Sequence, residues 1–390
     1  MKSHSFPTET GSRRRSTSSR MIQLLIGTAL ISTTIVANAA GKVVRTPHGD
    51  VAVLQAPQGV QQTLKATHPF ATATQRAAVK PLPWYEGKAA PIEPQAVQKP
   101  SGPVGKSAGG AAPSFGNYMA RNQFPEAWKA VDAAVAAEAQ SQEIKSGDIS
   151  TQDGAHYSYY RYPGNYYTSQ WTAPPWNKIG KLYFNTPSGG SSYCTANVAS
   201  GNSVLITAAH CVYTRGQGWN SNFVFVPAER YGAAPYGSYG WSSASVMNSW
   251  ITDGGRRWDV AVIRLTGEAS SGLPVVNYVG WLGRSWNYGY EQYTYSHGYA
   301  SNLSTQYTNI CSGRTYSSGW EGTNVLVQGC DMTYGSSGGG WLINYTPNSH
   351  GGNHVNSVVS GPHIGAFGSA YVGARFNDDN IVPLCNAIGC

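Results

Sequence analysis

The sequence has little of what zinc sites are usually made from. It contains six cysteines in 390 residues, none of them before position 194, and no two are spaced as a CxxC pair. CxxC pairs are the usual source of thiolate ligands in structural zinc sites. Their absence weakens the interpretation that these cysteines bind a metal.

Long hydrophobic runs are scarce as well. The single candidate, Met21–Val36, follows a basic stretch that ends at Arg20 and precedes the small residues Ala37–Ala39. This three-part layout is typical of a secretory signal peptide, which we assign to residues 1–39. A membrane helix needs roughly twenty apolar residues, so the run is short for one, and a retained anchor is the alternative. The rest of the chain is expected to be secreted or periplasmic, without membrane contact after signal cleavage.

Charge of one sign is not concentrated in the second half of the chain. The formal net charge is +8, but residues 170–390 carry ten Lys and Arg against nine Asp and Glu. The excess lies in residues 1–39, with five basic residues against one acidic, and in residues 40–169, with twelve against nine. Because no basic groove accompanies the abundant aromatic residues, we predict no nucleic-acid partner.

The cysteines that are present fit an oxidising compartment. An even number in an exported chain favours disulfides. Six cysteines allow fifteen pairings, but their clustering along the chain favours bridges between neighbours. The predicted disulfides are Cys194–Cys211, Cys311–Cys330 and Cys385–Cys390.

Residues 40–170 are predicted to be a propeptide or linker. From Ala40 to about Gly116 the sequence is rich in Ala, Gln, Pro, Lys and Gly, which favours a loosely folded segment. Pro125 and Glu126 then open an alanine-rich run, and proline with an acid in the first turn is a helix-start signal. We expect one exposed helix near residues 125–143, either in a propeptide or in a helical linker.

The composition changes near residue 155, and residues 171–390 are predicted to form an all-β domain. Helical periodicity disappears, and short β-type runs alternate with turns rich in Gly, Ser, Asn and Pro, a pattern typical of a sandwich or barrel. The runs are Lys181–Phe184, Ser203–Thr207, Phe223–Val226, Val260–Leu265, Asn324–Val327, Gly340–Asn344 and Asn356–Ser360. A domain of about 220 residues is long enough to bury a substantial core.

Two motifs of this domain place an ionisable side chain at the end of a strand-like run. His210 follows Leu205–Ala209, whose small final residues allow a tight turn. Asp259 stands directly before the apolar run Val260–Leu265, where burial of an unpaired carboxylate would be costly and the N–H of a histidine is a suitable partner. Taken alone, the first motif is more typical of a structural histidine and the second of an aspartate that caps a strand or turn.

A third motif, Gly335–Trp341, surrounds Ser337 with glycine. Such a loop is tight, exposes the hydroxyl and aims backbone N–H groups at one point. Serine becomes a nucleophile when a neighbouring base takes its proton. By itself a loop of this composition is usually only a flexible turn, so its meaning depends on the other two motifs.

Together the sequences TAAHC at 207–211, DVAVIRL at 259–265 and GSSGG at 335–339 resemble the signatures of the trypsin/chymotrypsin-like serine peptidase family, in the family's order. The resemblance covers roughly residues 175–385. It implies an all-β fold of two six-stranded β-barrels of the chymotrypsin type, with the site between them. The Cys194–Cys211 pair is similar to the family's disulfide beside the catalytic histidine.

The resemblance also implies a role for each residue. Ser337 attacks the scissile carbonyl and forms an acyl-enzyme, His210 moves the proton, and Asp259 orients the histidine. The backbone N–H groups of Gly335 and Ser337 form the oxyanion hole. The implied activity is that of a serine endopeptidase, made as a zymogen, which acts on proteins or peptides and requires no cofactor and no metal.

The chain departs from the animal trypsins at Ser336, where those enzymes carry an aspartate that pairs with a new N-terminal amine. Activation through that ion pair is therefore not expected. The match is closer to the secreted bacterial and fungal branches, which include the glutamyl endopeptidases. We hypothesise that residues 40 to about 170 are a propeptide that assists folding of the domain or masks its cleft.

Three residues are candidates for the substrate pocket. Asp331 lies six residues before Ser337, where a trypsin-like pocket carries its charge for Arg or Lys, although it equally fits a structural acceptor for backbone N–H groups. Ser360 and His363 fall on or after the strand expected to form the other wall. A histidine there favours Glu or Asp at the cleavage position.

Two other classes of function fit parts of the sequence. A barrel retained for binding, such as an adhesion module, predicts damage to a triad or oxyanion position, and the sequence shows none. An esterase or lipase predicts strand–helix alternation and a serine ahead of the histidine, which is not the order here.

Overall fold

The computed structural model describes residues 41–57, 68–86, 102–113, 115–141, 150–153, 157–162, 171–363 and 369–390. The predicted signal peptide, residues 1–39, lies outside the described residues. Within the described ranges, no helix has both the length and the apolar character that a membrane crossing requires.

Residues 41–162, here called the N-terminal segment, form short strands and helices. The strands are β1 (Lys42–Val44), β2 (Val51–Gln55), β3 (Lys80–Pro81), β4 (Gly105–Ser107), β5 (Ser150–Asp153) and β6 (Ser158–Tyr162). The helices are α1 (Ala73–Ala77), α2 (Gly116–Gln123) and α3 (Pro125–Ser141). Helix α3 coincides with the predicted helix, but it is not wholly exposed. Its Trp128 is buried, with its ring 5.1 Å from that of Trp171.

Six antiparallel strands close on themselves to form the first barrel. They are β7 (Ile179–Asn185), β8 (Ser191–Val198), β9 (Val204–Thr207), β12 (Ser221–Pro227), β13 (Tyr239–Met247) and β14 (Ala261–Glu268). They pair in the order β13-β12-β7-β8-β9-β14, and β14 pairs again with β13, which leaves no open edge in the ring. Between β9 and β12 the chain makes a small hairpin of β10 (Tyr213–Thr214) and β11 (Gly218–Trp219).

A second ring of six antiparallel strands forms the second barrel. They are β16 (Tyr293–Gly298), β17 (Asn309–Ser317), β18 (Val325–Gly329), β19 (Gly340–Ile343), β20 (His354–Pro362) and β21 (Ala370–Ala374). The order is β16-β19-β20-β21-β18-β17, and β17 pairs again with β16. β15 (Gly283–Trp286) pairs in parallel with β20. The two closed barrels confirm the predicted chymotrypsin-type fold.

Three short helices complete the barrels. They are α4 (Asn248–Thr252), α5 (Val276–Val279) and α6 (Ile381–Ile388). Helix α6, although it follows the second barrel in the chain, packs against β13 and β14 of the first. The structure forms the three disulfides that clustering predicted, Cys194–Cys211, Cys311–Cys330 and Cys385–Cys390.

The N-terminal segment adds strands to both barrels. β2 pairs with β13, β3 with β8, β4 with β15, and β6 with β17. Sequence analysis anticipated a loosely folded segment and did not predict these strands. The signal was present in Val51–Leu54, a run of four apolar residues that is buried in the structure. Such a run becomes a strand because residues 243–247 of β13 lie beyond the pairing of β13 with β12 at Tyr239, so their backbone groups on that side are available to β2.

Candidate active site

His210 and Asp259 are brought together by the pairing of two strands. His210 lies in a 3₁₀ turn, Ala209–Cys211, that follows β9, and Asp259 lies just before β14. The strands are antiparallel, with Thr207 opposite Ala261, so the end of β9 and the start of β14 lie at the same edge. Residues 49 positions apart in the sequence therefore meet in space.

Two hydrogen bonds join the histidine to the carboxylate. His210 Nδ1 lies 2.8 Å from Asp259 Oδ2, and the backbone N–H of His210 donates to Asp259 Oδ1 at 2.9 Å. Asp259 is fully buried and His210 is 6% exposed. A buried carboxylate requires donors, which favours the tautomer with the proton on Nδ1 and leaves Nε2 as an acceptor.

The turn that carries His210 is tight because its residues are small and cross-linked. Ala208 and Ala209 are fully buried, so no bulky side chain has to be accommodated there. Cys211 is bonded to Cys194 of β8. The imidazole is thus held by the turn, by the disulfide and by the aspartate.

The loop between β18 and β19 holds Ser337 against the first barrel. The backbone N–H of Thr195 donates to Ser337 O at 2.8 Å, and the Thr195 hydroxyl donates to Gly335 O at 2.8 Å. The Asn197 side chain donates to Gly338 O at 2.8 Å. Thr195 and Asn197 both belong to β8, so one strand of the first barrel positions the backbone of the serine loop.

Glycine is required at two positions of this loop. Gly335 has φ of +87° and Gly338 has φ of +79°, both in the left-handed region that favours glycine. A Cβ on Gly338 would collide with the hydroxyl of Thr207 and with the backbone nitrogen of Ala208. The serine loop therefore packs directly against the residues that precede His210.

Ser337 Oγ and His210 Nε2 lie in this region without a hydrogen-bond partner in the part of the chain that is described. Both atoms are buried, and no hydrogen bond joins one to the other. Buried polar atoms in folded proteins usually have partners, and exceptions call for an explanation such as a functional role. A hydroxyl and a basic nitrogen that are both unused fit a site that acts on a substrate.

The N–H groups of Gly335 and Ser337 donate to no protein acceptor within the described ranges. Within the motif 335–339, the N–H groups of the other three residues, Ser336, Gly338 and Gly339, are all bonded to carbonyl oxygens. In this motif, the two donors that sequence analysis assigned to an oxyanion hole are therefore the two without an acceptor in the described residues.

Ser360, a candidate for the pocket wall, is hydrogen-bonded to residues of the site. Its hydroxyl donates to Asp259 Oδ2, the oxygen that faces His210, and accepts a hydrogen bond from Arg256 Nη1 at 3.3 Å. Ser360 is fully buried. Its hydroxyl thus belongs to the network around Asp259, and its assignment to the wall of a substrate pocket stays a prediction.

Asp331 pairs with a side chain of the N-terminal segment. Arg161 of β6 forms an ion pair with Asp331 Oδ2, and both side chains are partly buried. No backbone N–H in the described ranges donates to this carboxylate, so the structure does not have the backbone acceptor that was the alternative. Burial and the nearby Asp331 raise the pKa of Tyr159 to about 12.

His363, the third pocket candidate, follows β20 and is mostly buried. Burial, and next the Arg256 cation, lower the pKa of His363 to about 4. Its ring lies 6.1 Å from that of Tyr157 in the N-terminal segment. The lowered pKa favours the uncharged imidazole at neutral pH, and a role of His363 in selecting Glu or Asp stays a prediction.

Arg256 contacts the site but was not among the predicted residues. Its Nε lies 2.8 Å from Glu321 Oε2, and its Nη2 donates to Pro362 O at 3.0 Å. The guanidinium thus connects the turn before Asp259 to β20 of the second barrel. The sequence signal was the Arg256–Arg257 pair, but nothing local indicates which arginine is buried.

Tyr85 of the N-terminal segment was also not predicted. Its ring stacks on that of His210, with centroids 6.3 Å apart and 22° between the planes. The sequence signal was the aromatic pair Trp84–Tyr85 directly after Pro81–Pro83, within the stretch that the composition predicts to be loosely folded. Which part of a long segment reaches a distant site is decided by tertiary packing.

Among the residues that the structure describes, two groups have the ligand types of a metal site. They are Cys194, His210 and Cys211, and Cys311, Cys330 and Asp331. In both groups the cysteine sulfurs are bonded to each other in disulfides. These sulfurs are therefore not thiolates, the form in which cysteine binds metals.

Comparison with known proteins gives partial matches. No family model matches the chain. The extracellular metalloprotease of Bacillus subtilis (strain 168) is 28% identical over 159 residues, which are 40% of this chain and 46% of that protein. The chain therefore matches less than half the length of this curated relative.

Solved structures match over about half of the chain's length. The protease Anisep from Arthrobacter nicotinovorans is similar with a TM-score of 0.48 and 27% identity, over 54% of this chain and 94% of that chain. The thermostable serine protease AL20 from an extremophilic microorganism is similar with a TM-score of 0.47 and 26% identity, over 52% and 93%.

The topology itself decides the fold. Two six-stranded antiparallel barrels close on themselves, His210 and Asp259 lie on turns of the first, and Ser337 lies in a loop of the second. The chain therefore has the fold of the trypsin/chymotrypsin-like serine proteases.

Proposed function

We propose that this chain is a secreted serine endopeptidase, made as a precursor, with His210, Asp259 and Ser337 as its catalytic triad. The observation that carries the proposal is the doubly hydrogen-bonded, buried pair of His210 and Asp259. It lies beside a serine loop whose hydroxyl has no other partner in the described residues.

In the proposed reaction, Ser337 Oγ attacks the scissile carbonyl carbon while His210 Nε2 takes the hydroxyl proton. Asp259 holds the proton on Nδ1 and stabilises the imidazolium that forms. His210 then delivers the proton to the leaving amine, and the acyl-enzyme remains. A water molecule, deprotonated by the same nitrogen, attacks the acyl group and releases the second product.

Two features support the transition state in this proposal. The N–H groups of Gly335 and Ser337 donate to the negative carbonyl oxygen, and one such donor is worth about 3 to 4 kcal/mol in related sites. Ser360 donates to the Asp259 carboxylate, which orients that group toward His210. Arg256 positions Ser360 from the other side.

Secretion and the precursor form are part of the proposal. Three disulfides fit an oxidising compartment, and the relative from Bacillus subtilis is described as extracellular. We assign residues 1–39 to a signal peptide, residues 40–170 to a propeptide and residues 171–390 to the peptidase domain. Its substrates are proteins or peptides.

A fluorophosphonate probe tests the proposal, because it labels only an activated serine. The processed protein is expected to be labelled and to digest casein, and both signals are expected to vanish in Ser337→Ala and in His210→Ala. The matched control is Ser336→Ala, since Ser336 is the neighbouring serine of the same loop and its hydroxyl donates to Thr333 O. This variant is expected to retain labelling.

Absence of labelling in a folded, processed wild-type protein would contradict the proposal and favour a binding module. Labelling that persists in Ser337→Ala would contradict the assignment of the nucleophile. Loss of labelling in Ser336→Ala alone would move the nucleophile to that serine.

A further inference from the structure

The stretch that leads to Tyr85 is anchored on the first barrel by buried groups. Arg76 of α1 is 5% exposed, and its Nε lies 3.4 Å from Glu229 Oε2. Its guanidinium also donates to Phe70 O at 3.2 Å, and the Phe70 ring stacks on Tyr183 at 5.7 Å. These contacts hold residues 68–77 in one place and fix where the following residues run.

After α1 the chain follows the strand that positions the serine loop. β3 pairs in parallel with Ser192 and Tyr193 of β8, and the Leu82 N–H donates to Tyr193 O at 3.0 Å. β8 also carries Thr195, which bonds the backbone of the Ser337 loop. The N-terminal segment is thus led by backbone hydrogen bonds to the side of the candidate nucleophile.

Tyr85 then covers His210. Its ring stacks on the imidazole and makes an edge contact with Trp250 at 4.8 Å, and its hydroxyl donates to Gly254 O at 2.7 Å. The Arg256 guanidinium lies 5.7 Å from the centre of the same ring. The Tyr85 ring therefore has aromatic contacts and a cationic neighbour, and its hydroxyl has a hydrogen-bond acceptor.

The same stretch also reaches the second barrel. The Trp84 ring meets Tyr334, the residue before Gly335, edge-on at 6.2 Å. A Cβ added to Gly361 would lie 2.6 Å from the carbonyl oxygen of Tyr85, so the two backbones are in direct contact. Gly361 follows Ser360 in β20. Residues 82–86 therefore cross the space between the two barrels, here called the cleft, over His210.

We propose that residues Leu82–Glu86 bind the cleft of their own chain as a peptide ligand and thereby exclude substrates until they are removed. The cleft contains an aromatic subsite, formed by His210, Trp250 and the Gly254 carbonyl, which Tyr85 fills. The inference rests on the proposed function, since it identifies the occupant of that site and the chemical class that the subsite takes, a peptide with an aromatic residue.

The first experiment measures fluorophosphonate labelling of the full chain before cleavage, with uncleaved and cleaved forms separated by size. The uncleaved wild-type chain is expected to react slowly. Tyr85→Ala removes the ring contacts and the two hydrogen bonds of the hydroxyl, which donates to Gly254 O and accepts from Arg215 Nη1. It is expected to speed labelling of the uncleaved chain about tenfold. The matched control is Tyr118→Ala, because Tyr118 belongs to the same segment but is 68% exposed on α2.

Equal labelling rates for the uncleaved and cleaved wild-type chain would overturn the inference. An equal acceleration by Tyr118→Ala would do the same, because it would show general loosening of the N-terminal segment. If no form of the wild-type chain reacts at any stage, the proposed function has failed, and a second measurement decides the inference separately.

The second measurement is hydrogen exchange of the full-length Ser337→Ala chain, which needs no catalytic activity. Peptides that contain residues 82–86 and residues 192–193 are expected to be protected. Addition of Tyr85→Ala is expected to raise exchange in residues 82–86 about tenfold. Exchange there at the rate of a free peptide of the same sequence would show that the cleft is not occupied by this stretch.

Discussion

The barrels and the N-terminal segment obtain their order in different ways. Barrel strands pair on both sides within closed rings, whereas the strands of the N-terminal segment add to the outside of barrel strands. Its buried apolar residues lie in clusters that barrel residues dominate, as Val51–Leu54 do with Leu182 and Phe70 does with Tyr183. The segment, as far as it is described, is therefore ordered by the barrels and has no core of its own.

The two regions also differ in what they contribute to the candidate site. The barrels supply the hydroxyl, the imidazole and the carboxylate. The N-terminal segment supplies groups that cover these residues or their neighbours, with Tyr85 on His210 and Arg161 on Asp331. The comparison teaches that a region without a core of its own can still have a defined position, because a few buried contacts determine where it lies.

The largest expected effect tests whether the chemistry belongs to the barrels. Asp259→Asn keeps the shape of the side chain but favours the wrong histidine tautomer, and is expected to lower kcat/KM of the processed protein about 10⁴-fold. Kinetics with a peptide substrate measure this loss. Circular dichroism should show that the fold is retained.

The matched control for that variant is Asp253→Asn, which changes a half-exposed aspartate six positions earlier. Surface substitutions usually alter free energies by no more than about 0.5 kcal/mol, so kcat/KM is expected to change by less than about threefold. Comparable losses in the two variants would contradict the special role of Asp259.

The next prediction compares an ion pair inside the barrels with one that joins the N-terminal segment to them. Arg256→Ala removes the guanidinium that faces the buried Glu321, and is expected to lower the free energy of unfolding by about 3 to 5 kcal/mol. Arg76→Ala is expected to cost the barrels less than about 1 kcal/mol. The reason is that Glu229 still accepts from Lys181 and from the Tyr183 hydroxyl, both at 2.7 Å.

Urea unfolding followed by tryptophan fluorescence measures both values, in the Ser337→Ala background to prevent self-digestion. Arg257→Ala is the control for Arg256, since Arg257 is 42% exposed, and it is expected to cost no more than about 0.5 kcal/mol. Hydrogen exchange in residues 68–86 should rise in Arg76→Ala. A loss of barrel stability equal to that of Arg256→Ala would show that the N-terminal segment is an integral part of the barrels.

The smallest effect concerns acid stability of the second barrel. His297 of β16 is fully buried, and burial lowers its pKa from 6.5 to about 3. Between these values the unfolded chain binds a proton that the folded chain does not, so the free energy of unfolding falls as the pH falls. One proton corresponds to about 1.4 kcal/mol per pH unit.

His297→Phe removes this contribution. Between pH 6 and pH 4 the free energy of unfolding of the variant is expected to fall less steeply than that of the wild type, with a slope that is smaller by up to about 1.4 kcal/mol per pH unit. Urea unfolding at a series of pH values measures the two slopes. Parallel slopes would contradict the assignment of acid sensitivity to this residue.

Much of the barrel architecture could be predicted from local patterns. All seven β-type runs fall in or overlap barrel strands, and the first includes most of β7. Alternation and turn residues act within a few positions, so they are readable in one sequence. The strands of the N-terminal segment were not predicted, because β2 is stabilised by a register with β13 almost two hundred residues away.

The site was predictable where short motifs carry it and not where it depends on long-range packing. The motifs around His210, Asp259 and Ser337 predicted these three as the candidate catalytic residues. They did not indicate that the Ser360 hydroxyl binds Asp259. Nor did they indicate that Arg256 is buried while its neighbour is exposed, since both arginines have the same local sequence context.

The sequence by itself determined the β character of residues 171–390, the order of the three motifs and the grouping of the cysteines. These depend on composition, periodicity and spacing, which are local properties of the chain. Tertiary structure alone decided that His210 and Asp259 form two hydrogen bonds and that Tyr85 lies over the imidazole. It also decided that the N–H groups of Gly335 and Ser337 have no acceptor among the described residues. The physical reason is that closing two barrels brings together groups whose distance along the chain carries no information about their distance in space.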